Sequence, residues 1–151
     1  YIIADLPHDF SDLSLNALDA ADMILLVGTP DMASIRATAA ALDAYKKLGY
    51  PVDKIKPILN AIFPHSSLTK EKIETAMGMD FFASFPHVPG LVVEAINFGR
   101  PLVIDKPQEP ISALLEDFAF FISKKKKKKS KPENPSDAWN RVYKRYQSKK
   151  K

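Results

Sequence analysis

Short, continuously apolar runs alternate with stretches of helical periodicity over the first 122 residues. "YIIAD" (1–5), "MILLVG" (23–28), "IKPILNAI" (55–62) and "FFASF" (81–85) are apolar without in-out alternation, which predicts strands buried on both faces, and "PLVI" (101–104) predicts a short edge strand. Between them lie helical patterns. One follows through "SDLSLNALDAAD"; a second repeats Met32, Ile35, Ala39, Leu42 and Tyr45 at steps of three and four, with Asp31 as its cap and Gly49 and Pro51 closing it. A third helix starts from Thr69 and ends at Gly78, a fourth starts at Pro89 with Gly99 just past its end, and a fifth carries Ile111, Leu114, Leu115, Phe118 and Phe121 on one stripe. Strand alternating with helix predicts an α/β fold, a doubly wound, mostly parallel sheet with helices on both faces.

Composition narrows the possibilities. A chain of 151 residues, 46% hydrophobic and 26% charged, carries one sizeable core. It has no cysteine, which excludes disulfides and thiolate metal sites, and its three histidines are far apart in sequence. The apolar runs are far shorter than the roughly 20 residues a membrane-spanning helix needs. The net charge of +4 conceals a division: residues 124–151 hold 13 Lys and Arg against 2 Asp and Glu, so the body before them is acidic. An acidic body gives no reason to expect a broad nucleic-acid-binding face.

In doubly wound sheets, ligands gather beyond the carboxyl ends of the strands. Asp5, Pro7 and His8 follow the first expected strand, Thr29, Pro30 and Asp31 the second, Asn60 the third, and Pro86, His87 and Val88 the fourth. A carboxylate fixed where Asp5 stands can hold Mg²⁺ through its water shell, since Mg²⁺ keeps most of its waters; it can equally cap the following turn. Asn60 offers a donor and an acceptor to a purine edge, or bonds its own backbone in a turn. His87 can stack on a base or stand solvated.

The blocks "DLPHDFSDLSLNALDAADMILLVGTPDMASIRATAAALDAYKKLGY", "ILNAI" and "FPHVPGLVVEAINFGRPLV" resemble, in collinear order, the second half of the ParA/MinD superfamily of P-loop ATPases, and within it the CpaE/TadZ-like branch tied to pilus assembly. The resemblance implies that Asp5-Leu6-Pro7 ends a Walker-B-type strand whose acid supports the Mg²⁺ water shell. It implies that Pro7, His8, Asp9, Phe10, Ser11 and Asp12 form a switch sensing the γ-phosphate of ATP. It further implies that Asn60 recognises the base and that Pro86, His87 and Val88 form a loop beside the adenine. A P-loop itself needs a glycine-rich turn followed by Lys-Ser/Thr, whereas the five glycines here are well separated and none precedes a lysine. The expectation is therefore a C-terminal portion of an ATPase domain over residues 1–123, with ATP and Mg²⁺ as cofactors and no catalytic residue in this chain. The complete protein is expected to dimerise and to lie in the cytoplasm or at the inner face of the membrane.

The remainder lies outside the resemblance. Residues 124–136 form a basic, proline-containing linker, residues 137–147 a short amphipathic helix, and residues 148–151 a basic end. The helix places Trp139, Val142, Tyr143 and Tyr146 on one face, with Arg141, Lys144 and Arg145 elsewhere on its surface. At about a dozen residues it is too short to hold alone and folds on contact. The sequence admits an anionic membrane or acidic partner first, docking of the aromatic cluster on the acidic body second, and DNA third.

Overall fold

A computed structural model describes residues 1–65, 67–123 and 131–148. It divides into two compact units, Tyr1–Ser84 and Phe85–Lys151, the division falling inside the segment expected to be one ATPase portion.

The first unit is organised by two parallel strands. β1 (Ile24–Gly28) pairs with β2 (Ile55–Asn60) in parallel, in a register running from Ile24 opposite Ile55 to Gly28 opposite Leu59. Parallel neighbours need a crossover connection, and α2 (Met32–Lys47) supplies it. The Asp31 carboxylate accepts from the Ser34 N–H to cap α2, as the sequence predicts, and Lys46 and Lys47 sit at its negative end. α3 (Lys70–Met77), capped by Thr69 and closed by left-handed Gly78, leads on to β3 (Ala83–Phe85), which lies beside β2 in the order β1-β2-β3. The Phe82 N–H donates to the Pro57 carbonyl just ahead of that strand.

The core of this unit gathers Leu18 of α1 (Asp12–Ala20), Ile24, Ile35, Leu42, Tyr45, Ile55, Leu59, Ile73, Met77 and Phe81. Each fully buried aliphatic side chain here contributes about 1.5–3 kcal/mol. Tyr50 donates to Asp19 at 2.6 Å and Lys54 donates to the Asp19 carbonyl at 3.1 Å, which ties the end of α1 to the chain entering β2. The opposite face of β1 is different: Leu25 and Val27 remain 40% and 56% exposed.

Three sequence expectations are corrected. "YIIAD" is not a strand: its residues pair with no other strand among the described residues, and Ile2 and Ile3 stand 99% and 92% exposed. A strand exists only through its neighbour, and β-propensity alone supplies none. "PLVI" forms a helical turn, α5 (Leu102–Asp105), because Pro101, pre-set at φ −58°, offers its carbonyl to the N–H groups of Ile104 and Asp105. The apolar stripe of α6 (Pro110–Ile122) is covered only in part: Ile111 is buried and Leu115 and Phe118 are half-buried, Phe118 against Phe85, while Leu114 and Phe121 are exposed and the polar Ser112 and Glu116 are buried.

The second unit also contains α4 (Pro89–Phe98) and α7 (Asp137–Ser148). Lys106 pairs with Glu94, linking the end of α5 to α4, and Phe85 meets Phe118 edge to face at 5.4 Å. Ser112 on α6 donates to the carbonyls of Leu102 at 3.1 Å and Lys106 at 2.7 Å, so α5 and α6 are fastened by one buried hydroxyl.

Gly28 marks the tightest approach in the first unit. A Cβ there would lie 2.8 Å from Thr38 Oγ1, on the buried face of α2. Gly28→Ala is expected to lower stability by about 1–3 kcal/mol in denaturant unfolding, and Thr38→Ala in the same chain to recover part of that loss.

Candidate functional site

Two hydrogen-bonded clusters sit where the chain leaves a strand or enters a helix. In the first, the Asp9 carboxylate accepts from Ser14 Oγ at 2.6 Å, from Ser11 Oγ at 2.9 Å and from the Ser11 N–H at 3.2 Å. Ser11 in turn caps α1 through the Ser14 N–H. These donors, Ser14 foremost and then Ser11, hold the Asp9 carboxyl below its ordinary range by stabilising the charged form. Phe10 packs edge to face on Tyr45 at 6.1 Å, and Leu6 packs against the core cluster. Of the expected switch residues Pro7, His8, Asp9, Phe10, Ser11 and Asp12, the structure thus brings Asp9, Phe10 and Ser11 into one anchored turn leading into α1 at Asp12. Pro7 accepts the Asp9 N–H within that turn, and Pro7 and His8 remain exposed. Asp5 stands exposed just upstream.

The second cluster follows β1. Asp31 accepts from the Thr29 hydroxyl and the Ser34 N–H, while Ser34 Oγ accepts the Thr29 N–H at 2.8 Å. The Thr29 hydroxyl, with the Ser34 N–H behind it, holds the Asp31 carboxyl low. Asn60 closes β2 at its carboxyl end with its side chain exposed, accessible to a ligand. Pro86, His87 and Val88 belong to the second unit, where Val88 accepts the Val92 N–H at the start of α4. Pro86 is exposed and the other two half-buried.

No group of three or more His, Cys, Asp and Glu side chains among the described residues is placed to enclose a metal ion. Mg²⁺ held through its own waters asks less, a single accessible carboxylate, which Asp5 provides.

The tail residues occupy the third cluster. The lysines at 124–129 and the basic end at 149–151 lie outside the described residues. α7 docks on α6: Val142 is 3% exposed, and Tyr146 packs against Phe120 at 5.3 Å. Both arginines converge on Glu116, whose side chain is 3% exposed: Arg141 donates to Oε1, and Arg145 donates to Oε2 at 2.8 Å and to Asp117 at 2.9 Å. Arg141 also donates to the Val103 carbonyl at 3.1 Å. Trp139 and Tyr143 stack on each other at 4.6 Å on the flank of the docked face, and Lys144 is exposed. This arrangement is the docking alternative weighed from sequence, with acid on α6 receiving it. Sequence reasoning passed over Glu116. Its signal was a glutamate set among apolar residues of α6, with two arginines one helical turn apart, Arg141 and Arg145, later in the chain.

No family model matches the chain. It is 27% identical over 110 residues to the septum site-determining protein MinD of Thermotoga maritima, covering 70% of this chain and 40% of that protein. It is 32% identical over 126 residues to an uncharacterized ATP-binding protein of Methanocaldococcus jannaschii, covering 82% and 47%. Among solved structures it is similar to a ParA family ATPase from Chlorobium tepidum, with a TM-score of 0.65 at 24% identity over 72% of this chain and 45% of that one. It is also similar to a chain of the MinC:MinD cell division protein complex of Aquifex aeolicus, with a TM-score of 0.57 at 25% identity over 68% and 43%. The chain is therefore related to the ParA/MinD superfamily of P-loop ATPases and shares its α/β fold. It spans less than half the length of these relatives.

Because the hydrogen bonds to Asp9 and Asp31 favour their ionised forms, both groups contribute stability that is complete above the ordinary carboxylate value of 3.8 and is lost as pH falls through their lowered values. Ser14→Ala is expected to return the Asp9 carboxyl toward its ordinary value, read as a shift in its NMR titration midpoint. An unchanged midpoint would deny the hydroxyl that role.

Proposed function

We propose that this chain is the C-terminal portion of an ATP–Mg²⁺-dependent, dimerising ATPase that positions or assembles a cell-envelope machine such as a pilus, in the manner of the CpaE/TadZ-like branch. The observation that carries the reading is the anchored turn after Asp5, in which one carboxylate gathers Ser11 and Ser14 at the start of α1. Such a turn has a defined resting geometry that a neighbouring phosphate could displace by competing for the two hydroxyls and the Ser11 N–H. The similarity to an ATP-binding protein and to a ParA family ATPase supports the nucleotide.

The residues present fit part of a nucleotide. Asn60 has the paired donor and acceptor a purine edge requires and is exposed at a strand end. Asp5 is free to face a hydrated Mg²⁺ ion. The phosphate cradle has no counterpart in this chain, since none of the five glycines precedes a lysine. Bound Mg²⁺ would neutralise phosphate charge as it develops; the work of this chain's residues is to orient the base and to report the phosphate. The edge of β1, five apolar or glycine residues without a charge and unpaired among the described residues, supports a further strand beside it in the complete protein. A scaffold of the same fold, acting through a dimer face without hydrolysis, is the second reading, favoured by the missing Lys-Ser/Thr turn.

The test is ATP–Mg²⁺ binding by this chain alone and by the chain joined to its upstream sequence. The chain alone is expected to bind no ATP at micromolar concentration, and the joined protein to bind and hydrolyse it. In the joined protein, Asn60→Ala is expected to weaken ATP by about tenfold, as losing a net hydrogen-bond pair of about 1.4 kcal/mol would, and Asp5→Ala to abolish hydrolysis. Upstream sequence without a glycine-rich turn and Lys-Ser/Thr would leave the scaffold.

A further inference from the structure

We infer that Tyr45 and Tyr50 are positioning residues for the Asp9 turn, one tyrosine pair holding both sides of its hydrogen bonds: Tyr45 fixes Phe10 on the turn, and Tyr50 fixes α1, which carries Ser14. What this means for a phosphate rests on the reading of that turn proposed above; the positioning itself does not.

The end of α2 builds the pair. Gly49 takes the left-handed conformation at φ 82°, and the chain doubles back so that the Gly49 N–H donates to the Lys46 carbonyl and the Tyr50 N–H to the Tyr45 carbonyl, both at 3.0 Å. This closure sets the residue just past a helix end against one inside its last turn, here ring against ring at 5.8 Å. Tyr45 is buried in the core of the first unit, so the packing around it holds its ring in place.

Each ring then reaches a different end of α1. Phe10, the residue between Asp9 and Ser11, packs edge to face on Tyr45 at 6.1 Å. The Tyr50 hydroxyl donates to Asp19, in the last turn of α1, at 2.6 Å, while Lys54 lies over the Tyr50 ring at 5.0 Å and donates to the Asp19 carbonyl. The hydrogen bond to Asp19 pushes the Tyr50 hydroxyl up to about 12, so it stays a donor throughout the neutral range. Ser14 sits on α1 between these two supports, buried, and donates to Asp9 at 2.6 Å. A hydrogen bond is lost when its partners move out of line, so the Asp9 carboxylate keeps both serine hydroxyls only while Phe10 and α1 hold their places together. A phosphate that draws the turn aside must also lift Phe10 from Tyr45, and that contact sets how readily the turn responds.

The test uses this chain without nucleotide, so its outcome stands apart from whether the joined protein binds ATP. Two NMR readouts are followed: the titration midpoint of the Asp9 carboxyl, and the upfield ring-current shift that edge-to-face packing gives Phe10 and Tyr45. In Phe10→Ala the Asp9 midpoint is expected to rise toward its ordinary value of 3.8, and Phe10→Tyr, which keeps the ring, to restore the lowered midpoint. Tyr50→Phe, which removes only the hydroxyl, is expected to raise the midpoint by a smaller amount, with the ring-current shift retained. Phe10 is 50% exposed and Tyr50→Phe keeps its ring, so neither change removes a core side chain, and the amide signals of β1 and β2 verify the fold. An Asp9 midpoint unchanged in Phe10→Ala or in Tyr50→Phe, or not restored by Phe10→Tyr, would overturn the positioning.

Discussion

Parallel pairing of β1 with β2 is the constraint from which the first unit follows. Two parallel strands cannot be joined by a tight turn, so sixteen residues of α2 must cross from the end of one to the start of the other. The crossover lays Ile35, Leu42 and Tyr45 over Ile24, Ile55 and Leu59, and that contact is the core. It also requires Gly28, where strand and helix approach too closely for a side chain. The same register brings the carboxyl ends of both strands, with Thr29 and Asn60, to one end of the sheet. Packing and candidate chemistry are consequences of a single pairing rule.

The second unit rests on a different kind of interaction. Its helices bury few large side chains, and none of α4 is buried. Polar groups supply the definition instead: Ser112 between the carbonyls at the ends of α5, Lys106 on Glu94, and Glu116 between two arginines. A buried ion pair adds little net stability, because desolvation offsets most of the attraction, but leaving one partner unpaired costs about 3–5 kcal/mol. Such a group fixes where α7 sits more than how firmly.

Elements whose stability is local were legible in the sequence. Asp31 and Thr69 cap where their residue types and spacing say they should, and Gly78 and Gly99 end their helices in the left-handed conformation that few other residues adopt. What escaped depends on a neighbour. "YIIAD" has the composition of a strand but joins no sheet among the described residues, and "PLVI" follows a proline whose carbonyl closes a helical turn. The stripe on α6 is legible only in part for a related reason: periodicity identified an apolar face whose Ile111 is buried, but Glu116 and Ser112 are also buried, through α7 and α5, and periodicity names neither. At the candidate site, strand-end position and residue type named Asp5 and Asn60, and the family resemblance named the segment from Pro7 to Asp12. Only coordinates could reveal that Asp9 gathers that segment into a turn.

Exposed apolar surface connects these observations. Leu25 and Val27 on β1 and Ile2 and Ile3 ahead of it are exposed in the first unit, and Val93, Ile96 and Phe98 on α4 are exposed in the second. Scattered singly they would need no explanation, but β1 combines an apolar face with an edge that is unpaired among the described residues and carries none of the charges, prolines or bulges that protect edges. The tail shows the opposite economy, since Val142 and Tyr146 are covered within this chain.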